Sequence, residues 1–141
     1  MTDPIPAVAA VLVERAVVIA AAREIVWACW TEPERLVRWM GSRAAVDLRP
    51  GGEVRIEYAN GSVMQGAIVE LEPPSRLVFT WGWQDPSEAV RPGQSRVEVE
   101  LDEVEGGTRV RLRHLGLPAD EVAGHGEGWD YFLGRLGDAV P

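Results

Sequence analysis

The chain contains 141 residues, of which 46% are hydrophobic and 26% are charged, and this composition is typical of one folded domain with a buried core. The net charge of -8 argues against nucleic acid as a partner, because binding to phosphates requires a basic face. All 14 basic residues are arginine, which excludes a P-loop and any Schiff-base chemistry, since both depend on a lysine amine.

The beginning of the chain predicts a tail and one strand. We expect residues 1–11 to form a loose tail, and the β-branched residues that lead up to Ile19 to form the first strand. The apolar stretch from Ala7 to Val13 is too short to cross a bilayer, and Asp3 is the wrong flank for a signal peptide. We therefore expect a cytoplasmic protein without membrane insertion.

Two helices are predicted next. Apolar side chains recur at helical spacing over residues 20–31, which indicates an amphipathic helix. Pro33 suits the first turn of a second, shorter helix, with Thr31 or Glu32 near its cap. We expect this second helix to run to about Met40, where Gly41 closes it.

From residue 44 to residue 115 the apolar pattern alternates, which predicts a run of antiparallel strands. The pair Asn60-Gly61 is a hairpin signal, since both residues tolerate a positive φ. Residues 119–140 return to a helical period, with an apolar stripe that begins at Trp129. The resulting order, β-α-α-β(6)-α within one domain over residues 1–141, predicts an α+β fold in which a long C-terminal helix packs on a curved antiparallel sheet.

The last hairpin also predicts its own register. With Glu105-Gly106 as the two-residue turn, every charged pair across the two strands has opposite signs. The pairs are Asp102 with Arg109, Glu100 with Arg111, and Glu98 with Arg113. Such pairs contribute only about 0.2–1 kcal/mol each, so we interpret this face as solvated and structural, without a catalytic role.

The sequence predicts neither a metal site nor a cofactor. The only histidines are His114 and His125, and no spacing resembles a zinc signature. Cys29 is the single cysteine and has no partner for an internal disulfide. It lies among apolar neighbours on the first predicted helix, so we interpret it as a buried packing residue. We interpret His125, which precedes Gly126 at the start of the last helix, as a capping or surface residue.

Six tryptophans are the strongest positive feature of the sequence. Large aromatic residues often simply fill a core, but a sheet wrapped on one helix also leaves a hollow that rings with polar tips can line. We therefore predict an internal ligand cavity. The predicted lining residues are Trp39, Tyr58, Met64, Trp81, Trp83, Val99, Leu112, His114, Trp129, Phe132 and Leu133.

Two residues are candidates for proton transfer in this cavity. His114 shares the inward parity of its strand with Val110 and Leu112, and it is either a core histidine bonded to the backbone or a general base. Tyr58, beside the Asn60-Gly61 turn, offers a hydroxyl as the second candidate. The sequence leaves both alternatives open.

Several sequence motifs, in this order, resemble those of one family. They are Val26-Trp27 through Thr31-Glu32-Pro33-Glu34-Arg35-Leu36 with Trp39, then Leu48-Arg49-Pro50-Gly51-Gly52, then Pro73-Pro74-Ser75-Arg76-Leu77-Val78-Phe79-Thr80-Trp81, then Gly107-Thr108-Arg109-Val110 through His114-Leu115-Gly116-Leu117-Pro118, and last His125 with Gly128-Trp129. Over residues 12–140 the chain resembles bacterial homologues of the activator of heat shock protein 90 ATPase, in the START-like superfamily. That superfamily includes polyketide cyclases and the birch-pollen allergen fold. The resemblance implies a helix-grip fold with a deep apolar cavity.

Three functions remain open, because fold does not determine activity. The leading interpretation is a protein that binds an apolar, aromatic or lipid-like ligand in the cavity. The second is a cyclase or dehydratase in which His114 or Tyr58 moves a proton. The third, implied by the resemblance, is a stress-response module that acts on a chaperone through its outer surface. The protein is expected to be a monomer or a homodimer.

Overall fold

The structure is a computed structural model that describes residues 12–141, so the predicted tail at residues 1–11 lies outside the described residues. The elements follow the predicted order of a strand, two helices, six strands and a long helix. They are β1 (Val13–Ile19), α1 (Arg23–Thr31), α2 (Pro33–Leu36), β2 (Arg43–Val46), β3 (Glu53–Glu57), β4 (Val63–Glu72), β5 (Arg76–Trp81), β6 (Ser95–Val104), β7 (Gly107–Leu115) and α3 (Val122–Ala139).

The seven strands form one antiparallel sheet in the order β1-β7-β6-β5-β4-β3-β2. A bulge between Ile68 and Glu70 interrupts the pairing of β4 with β5, and such bulges increase the local bend and twist of a sheet. The helix α3 covers the inner face through Trp129, Leu133 and Leu136, which are all buried. The predicted α+β helix-grip fold is therefore confirmed.

The β6–β7 hairpin has the predicted register. Glu100 lies opposite Arg111, Asp102 opposite Arg109 and Glu98 opposite Arg113. The charges form a network on the outer face, where Arg111 contacts both Glu100 and Asp102 at 2.9 and 3.1 Å. The expectation of a fully solvated face is wrong at Glu98, which is only 9% exposed because it lies between Arg96 and Arg113.

Local boundaries differ from the predictions in two places. The second helix begins at Pro33 as predicted, but it ends at Leu36 and continues to residue 39 only as turns. The β3–β4 hairpin turns at Gly61, with a φ of 91°, whereas Asn60 does not adopt a positive φ. Instead, the Asn60 side chain accepts a hydrogen bond from the backbone N–H of Ser62 at 2.9 Å. A short polar side chain that bonds to its own turn is a common alternative to the left-handed conformation.

Below α1 and α2 the interior is nearly closed and holds an apolar space of only about 10 Å³. Trp39 is fully buried, and its indole N–H donates to the backbone carbonyl of Cys29 at 2.8 Å. Its ring meets Trp30 edge-on, with 4.7 Å between the centroids. Leu36 and Phe79 complete this part of the core. We call this region, defined by Trp30, Leu36, Trp39 and Phe79, the sealed half.

Candidate functional site

A cavity of about 370 Å³ opens between the inner face of the sheet and the first half of α3. Aromatic, polar and glycine residues from β3 to β5, the following loops and α3 surround it. They are Tyr58, Asn60, Ser62, Trp81, Trp83, Glu88, Glu121, Gly124, His125, Gly128, Trp129 and Phe132. We call this cavity the aromatic pocket. Its volume lies in the range that binds small organic molecules.

The walls of the aromatic pocket are built from rings in mutual contact. The Trp83 ring lies 5.6 Å from both Tyr58 and Trp81, measured between centroids. Phe132 is 5.7 Å from Tyr58, and Trp129 is 5.3 Å from Trp81. Aromatic pairs at these separations stabilise each other, so the pocket has a preformed apolar wall.

Two glycines on α3 keep the pocket open. Gly124 and Gly128 both line it, and a Cβ atom built on either would meet no atom within 4 Å. They lie four residues apart and therefore on the same helix face. At these two positions α3 contributes only backbone, so no side chain fills the space between the helix and the sheet.

His125 is part of the pocket wall, and the expectation of a surface or capping residue is wrong. Its side chain is 10% exposed. Nε2 accepts a hydrogen bond from the indole N–H of Trp83 at 3.3 Å, and Nδ1 lies 2.9 Å from the backbone oxygen of Glu121. Because Nε2 is an acceptor, Nδ1 carries the proton and donates to that oxygen, so the ring is neutral in this arrangement.

His114 does not reach the pocket, although the sequence made it a candidate base and a lining residue. It is fully buried behind Trp129, whose indole N–H donates to Nδ1 at 3.0 Å. Its Nε2 lies 2.9 Å from the hydroxyl of Ser95, which donates to the backbone oxygen of Trp81 at 2.8 Å. Both ring nitrogens are therefore occupied, and Nε2 carries the proton. His114 is therefore a core histidine, but its partners are the side chains of Ser95 and Trp129 and not, as expected, the backbone.

Burial lowers the pKa of His114 to about 3, with a further contribution from the nearby His125. A desolvated imidazole without a carboxylate partner favours its neutral form. His114 therefore stays neutral at physiological pH, and its interaction with Ser95 has a structural role.

Two polar atoms at the pocket wall have no hydrogen-bond partner within the described part of the chain. They are the hydroxyl of Tyr58 and the indole N–H of Trp81, and both atoms are buried. Burial also raises the pKa of Tyr58, so its hydroxyl remains protonated at neutral pH. Buried polar groups are usually bonded, so both atoms are exceptions; the indole nitrogen can only donate a hydrogen bond, whereas the hydroxyl can donate or accept one.

The structure brings together some of the predicted lining residues and not others. Those that line the aromatic pocket are Tyr58, Trp81, Trp83, Trp129 and Phe132. Those that do not line it are Trp39, Met64, Val99, Leu112, His114 and Leu133, all of them buried in the core. These six are core residues, and none of them borders the cavity. Inward parity identifies a core residue without showing what lies opposite it.

Sequence reasoning missed the polar residues of the pocket. Glu121 and His125 lie four residues apart, and His125 lies four residues before Trp129. Extending the helical stripe backwards from Trp129 by two turns would have placed both residues on the pocket face. No local signal indicates Glu88, because it comes from the polar loop after β5.

A larger open groove of about 720 Å³ lies on the outer face of the sheet, lined mainly by charged residues of β1, β6 and β7 and by Arg76. Its arginines already contact carboxylates, for example Arg76 with Glu100 at 2.7 Å. This groove is a wet charged surface, and its size alone does not indicate a ligand site.

Residues 12–141 offer neither a metal site nor a membrane-spanning helix. No group of three or more His, Cys, Asp or Glu residues there is arranged to hold a metal ion. Among the described helices, none is both long and apolar enough to cross a membrane. Cys29 is buried, and burial raises the pKa of its thiol, whereas a nucleophilic cysteine needs a lowered one.

Comparison with known proteins gives one family and several similar structures. The family model described as Activator of Hsp90 ATPase homolog 1-like protein matches residues 20–140. An AHSA1-like protein from Rhizobium etli is 39% identical, with a TM-score of 0.72, and the match covers 99% of this chain and 87% of that one. No curated protein matches the chain.

Two further proteins, CalU16 and DynU16, have similar structures. CalU16 from Micromonospora echinospora is 28% identical, with a TM-score of 0.71, over 92% of this chain and 83% of that one. DynU16, described as a putative protein in the dynemicin biosynthetic locus, is 27% identical, with a TM-score of 0.78. The match covers 90% of this chain but only 46% of DynU16, so the chain spans less than half the length of that protein.

Proposed function

The chain belongs to the Activator of Hsp90 ATPase homolog 1-like family in the START-like superfamily, and from that premise we propose that it binds a small apolar or aromatic ligand in the aromatic pocket. The observation that carries the proposal is the open space beside Gly124 and Gly128, opposite a wall of contacting rings. Burying apolar ligand surface contributes about 25 cal/mol per Å², which is sufficient for micromolar binding of a ligand of this size. We also propose that the protein is cytoplasmic and that it is a monomer or a homodimer.

Turnover in the same pocket is the second candidate, and the specific observation in its favour is the unpartnered hydroxyl of Tyr58. A cyclase or dehydratase needs a group that donates or accepts a proton within reach of the bound chain. Tyr58 and His125 both line the pocket, so they replace His114 as the residues on which this activity would depend. Action on a chaperone would instead use an outer surface and would not depend on the pocket.

Substitution of one pocket glycine tests the proposal. Gly128→Leu fills part of the pocket without a clash at Cβ, and Gly134→Leu is the matched control on the same helix, exposed and outside the pocket. Replacing a helical glycine by a good helix former stabilises a helix by about 0.5–1 kcal/mol. We therefore expect both variants to resist urea slightly better than the wild type.

Ligand binding should separate the two variants. We expect apolar ring compounds to raise the thermal midpoint of the wild type and of Gly134→Leu, because only the folded state has the pocket. In Gly128→Leu the affinity should fall at least about tenfold, measured by tryptophan emission, since the leucine occupies the same space. Equal binding by both variants, or no binding by the wild type across a broad panel, would contradict the proposal. A chaperone-dependent activity that survives in Gly128→Leu would support the interaction module.

A further inference from the structure

The charge of the aromatic pocket is negative. Glu88 and Glu121 line it, and no arginine is among the described residues that do so. Lysine is absent from the whole chain. In the tautomer that accepts a hydrogen bond from Trp83, the His125 ring carries no formal charge, and its Nδ1 lies 3.7 Å from Oε1 of Glu121. The formal charges at the pocket are therefore two carboxylates.

Arg91, in the loop that follows β5, already has hydrogen-bond partners outside the pocket. Nη1 of Arg91 lies 2.9, 3.2 and 2.7 Å from the backbone oxygens of Trp83, Gln84 and Asp85. These three bonds hold the guanidinium against the backbone of the loop. Arg91 is not a lining residue of the pocket, so it is not positioned to contact a ligand there.

The rings of the pocket add a second preference of the same sign. Indole and phenol faces carry partial negative charge, and they attract an ammonium or guanidinium group placed over them. Three tryptophans and Tyr58 contribute to the lining. The oxygen of Tyr58, which has no partner among the described residues, can accept a hydrogen bond from an amine that carries an N–H, although not from a quaternary ammonium. The unpartnered indole N–H of Trp81 can only donate, so it serves an acceptor elsewhere on the ligand.

We infer that the ligand of the aromatic pocket carries an amine or quaternary ammonium group on an apolar body, and that carboxylate-bearing analogues are rejected. The inference rests on the proposed function, since it specifies the ligand of the same pocket. The apolar body contacts the rings and the glycine face of α3. The cationic group lies near Glu88 and Glu121 at the pocket wall. The overall charge of -8 attracts such ligands and repels anions before they bind.

Three probes with one ring system and different charges test the inference. They are naphthylmethyl trimethylammonium, naphthylmethanol and naphthylacetate, each titrated into the full chain by calorimetry at pH 7. We expect the cation to bind about three- to tenfold more tightly than the neutral alcohol, and the carboxylate to bind more weakly than both. The advantage of the cation should shrink in about 0.5 M salt, whereas binding of the alcohol should not weaken.

Carboxylate substitutions locate the source of the preference. Glu121→Gln and Glu88→Gln should each reduce affinity for the cationic probe by about two- to fivefold and leave affinity for the alcohol unchanged. Glu105→Gln is the matched control, because it removes the same charge from the β6–β7 turn, outside the pocket. It should leave the affinity for all three probes unchanged.

The outcomes distinguish this inference from the proposed function. Binding of the alcohol and the cation with equal affinity, or tighter binding of the carboxylate, would overturn the cationic preference and leave a ligand pocket in place. Failure of all three probes and of the wider panel of ring compounds would overturn both. A cationic preference that Glu105→Gln reduces as strongly as the pocket substitutions would assign it to the net charge of the protein, and would also contradict the inference.

Discussion

The sealed half and the aromatic pocket are built from the same kinds of residue, yet one is closed and the other open. In the sealed half, Trp39 is 0% exposed and its ring is covered by Trp30. In the pocket, Trp83 is only partly buried and its ring borders an open cavity. Both indole N–H groups are hydrogen bonded, to Cys29 and to His125. The rings alone therefore do not explain the difference.

The difference lies in the element that faces the rings. Over the sealed half, α1, α2 and the segment that follows them present Trp30, Leu36 and Met40, which leave a space of only about 10 Å³. Over the pocket, α3 presents Gly124 and Gly128, which leave it empty. An internal cavity in this fold thus depends on small residues in the covering helix more than on large residues in the sheet.

Truncating a tryptophan in each half should give the largest contrast. Trp39→Ala leaves a void in a filled region and removes the donor to the Cys29 carbonyl, so it should cost about 3–5 kcal/mol of unfolding free energy. Trp83→Ala enlarges an existing cavity and should cost about 1–2 kcal/mol. Urea titration measures both values, and equal losses would show that the pocket is packed as tightly as the sealed half.

Ligand titration of the same two variants provides the control. Folded Trp39→Ala should bind ring compounds as the wild type does, because its void lies outside the aromatic pocket. Trp83→Ala should bind them more weakly, since it loses part of the wall. Weaker binding by Trp39→Ala than by Trp83→Ala would place the ligand in the sealed half instead of the aromatic pocket.

His114 lies behind the pocket wall and should make stability dependent on pH. Its pKa is about 3 in the folded protein, compared with about 6.5 in an unfolded chain. As the pH falls below about 6.5, the imidazole of His114 becomes protonated in the unfolded chain but stays neutral in the folded protein. The free energy of unfolding therefore decreases until the pH reaches about 3. At pH 5 the loss should be about 2 kcal/mol relative to pH 7.

The variant His114→Gln isolates this contribution, because glutamine does not titrate. The difference in unfolding free energy between the wild type and His114→Gln should be about 2 kcal/mol smaller at pH 5 than at pH 7, measured by urea titration. A difference that stays constant with pH would mean that His114 has the same pKa in the folded and unfolded states, and that burial does not hold its ring in the neutral form.

Cys29 should give the smallest effect. Its side chain is buried in the sealed half, next to the carbonyl that Trp39 contacts. We expect Cys29→Ala to cost about 1 kcal/mol and to leave affinity for ring compounds unchanged. In the wild type, iodoacetamide should label the native thiol much more slowly than the urea-unfolded thiol, as measured by mass spectrometry. Rapid labelling of the native protein, with loss of binding, would show that the sealed half is accessible.

The architecture was predictable from sequence because its signals are local. Opposite charges across the last hairpin determine its register, and a slip of one residue would bury those charges. The period change at residue 44 separates helices from strands. The prediction failed where two local solutions have similar energies, as at Asn60, where an Asx-type bond replaced a positive φ.

The candidate site was predictable only in part, because it depends on contacts between distant segments. Alternation along β5 showed that Trp81 points inward, as do Val99 and Leu112 on the neighbouring strands. Whether an inward side chain meets a cavity depends on the helix above it. The useful sequence signal was the spacing of Gly124 and Gly128, which is visible on a helical projection but has no meaning until the helix is placed on the sheet.

Those glycines also affect how α3 folds. Gly124, Gly126 and Gly128 lie within two turns at the start of the helix. Each makes the helical conformation less favourable by about 1 kcal/mol relative to alanine. The second half of α3 carries Leu133 and Leu136, which anchor it in the core. The first half therefore depends on Trp129 and on the contact of His125 with Trp83 for its order. The pocket wall and these helical turns therefore form together. A ligand bound in the pocket would stabilise the first half of α3.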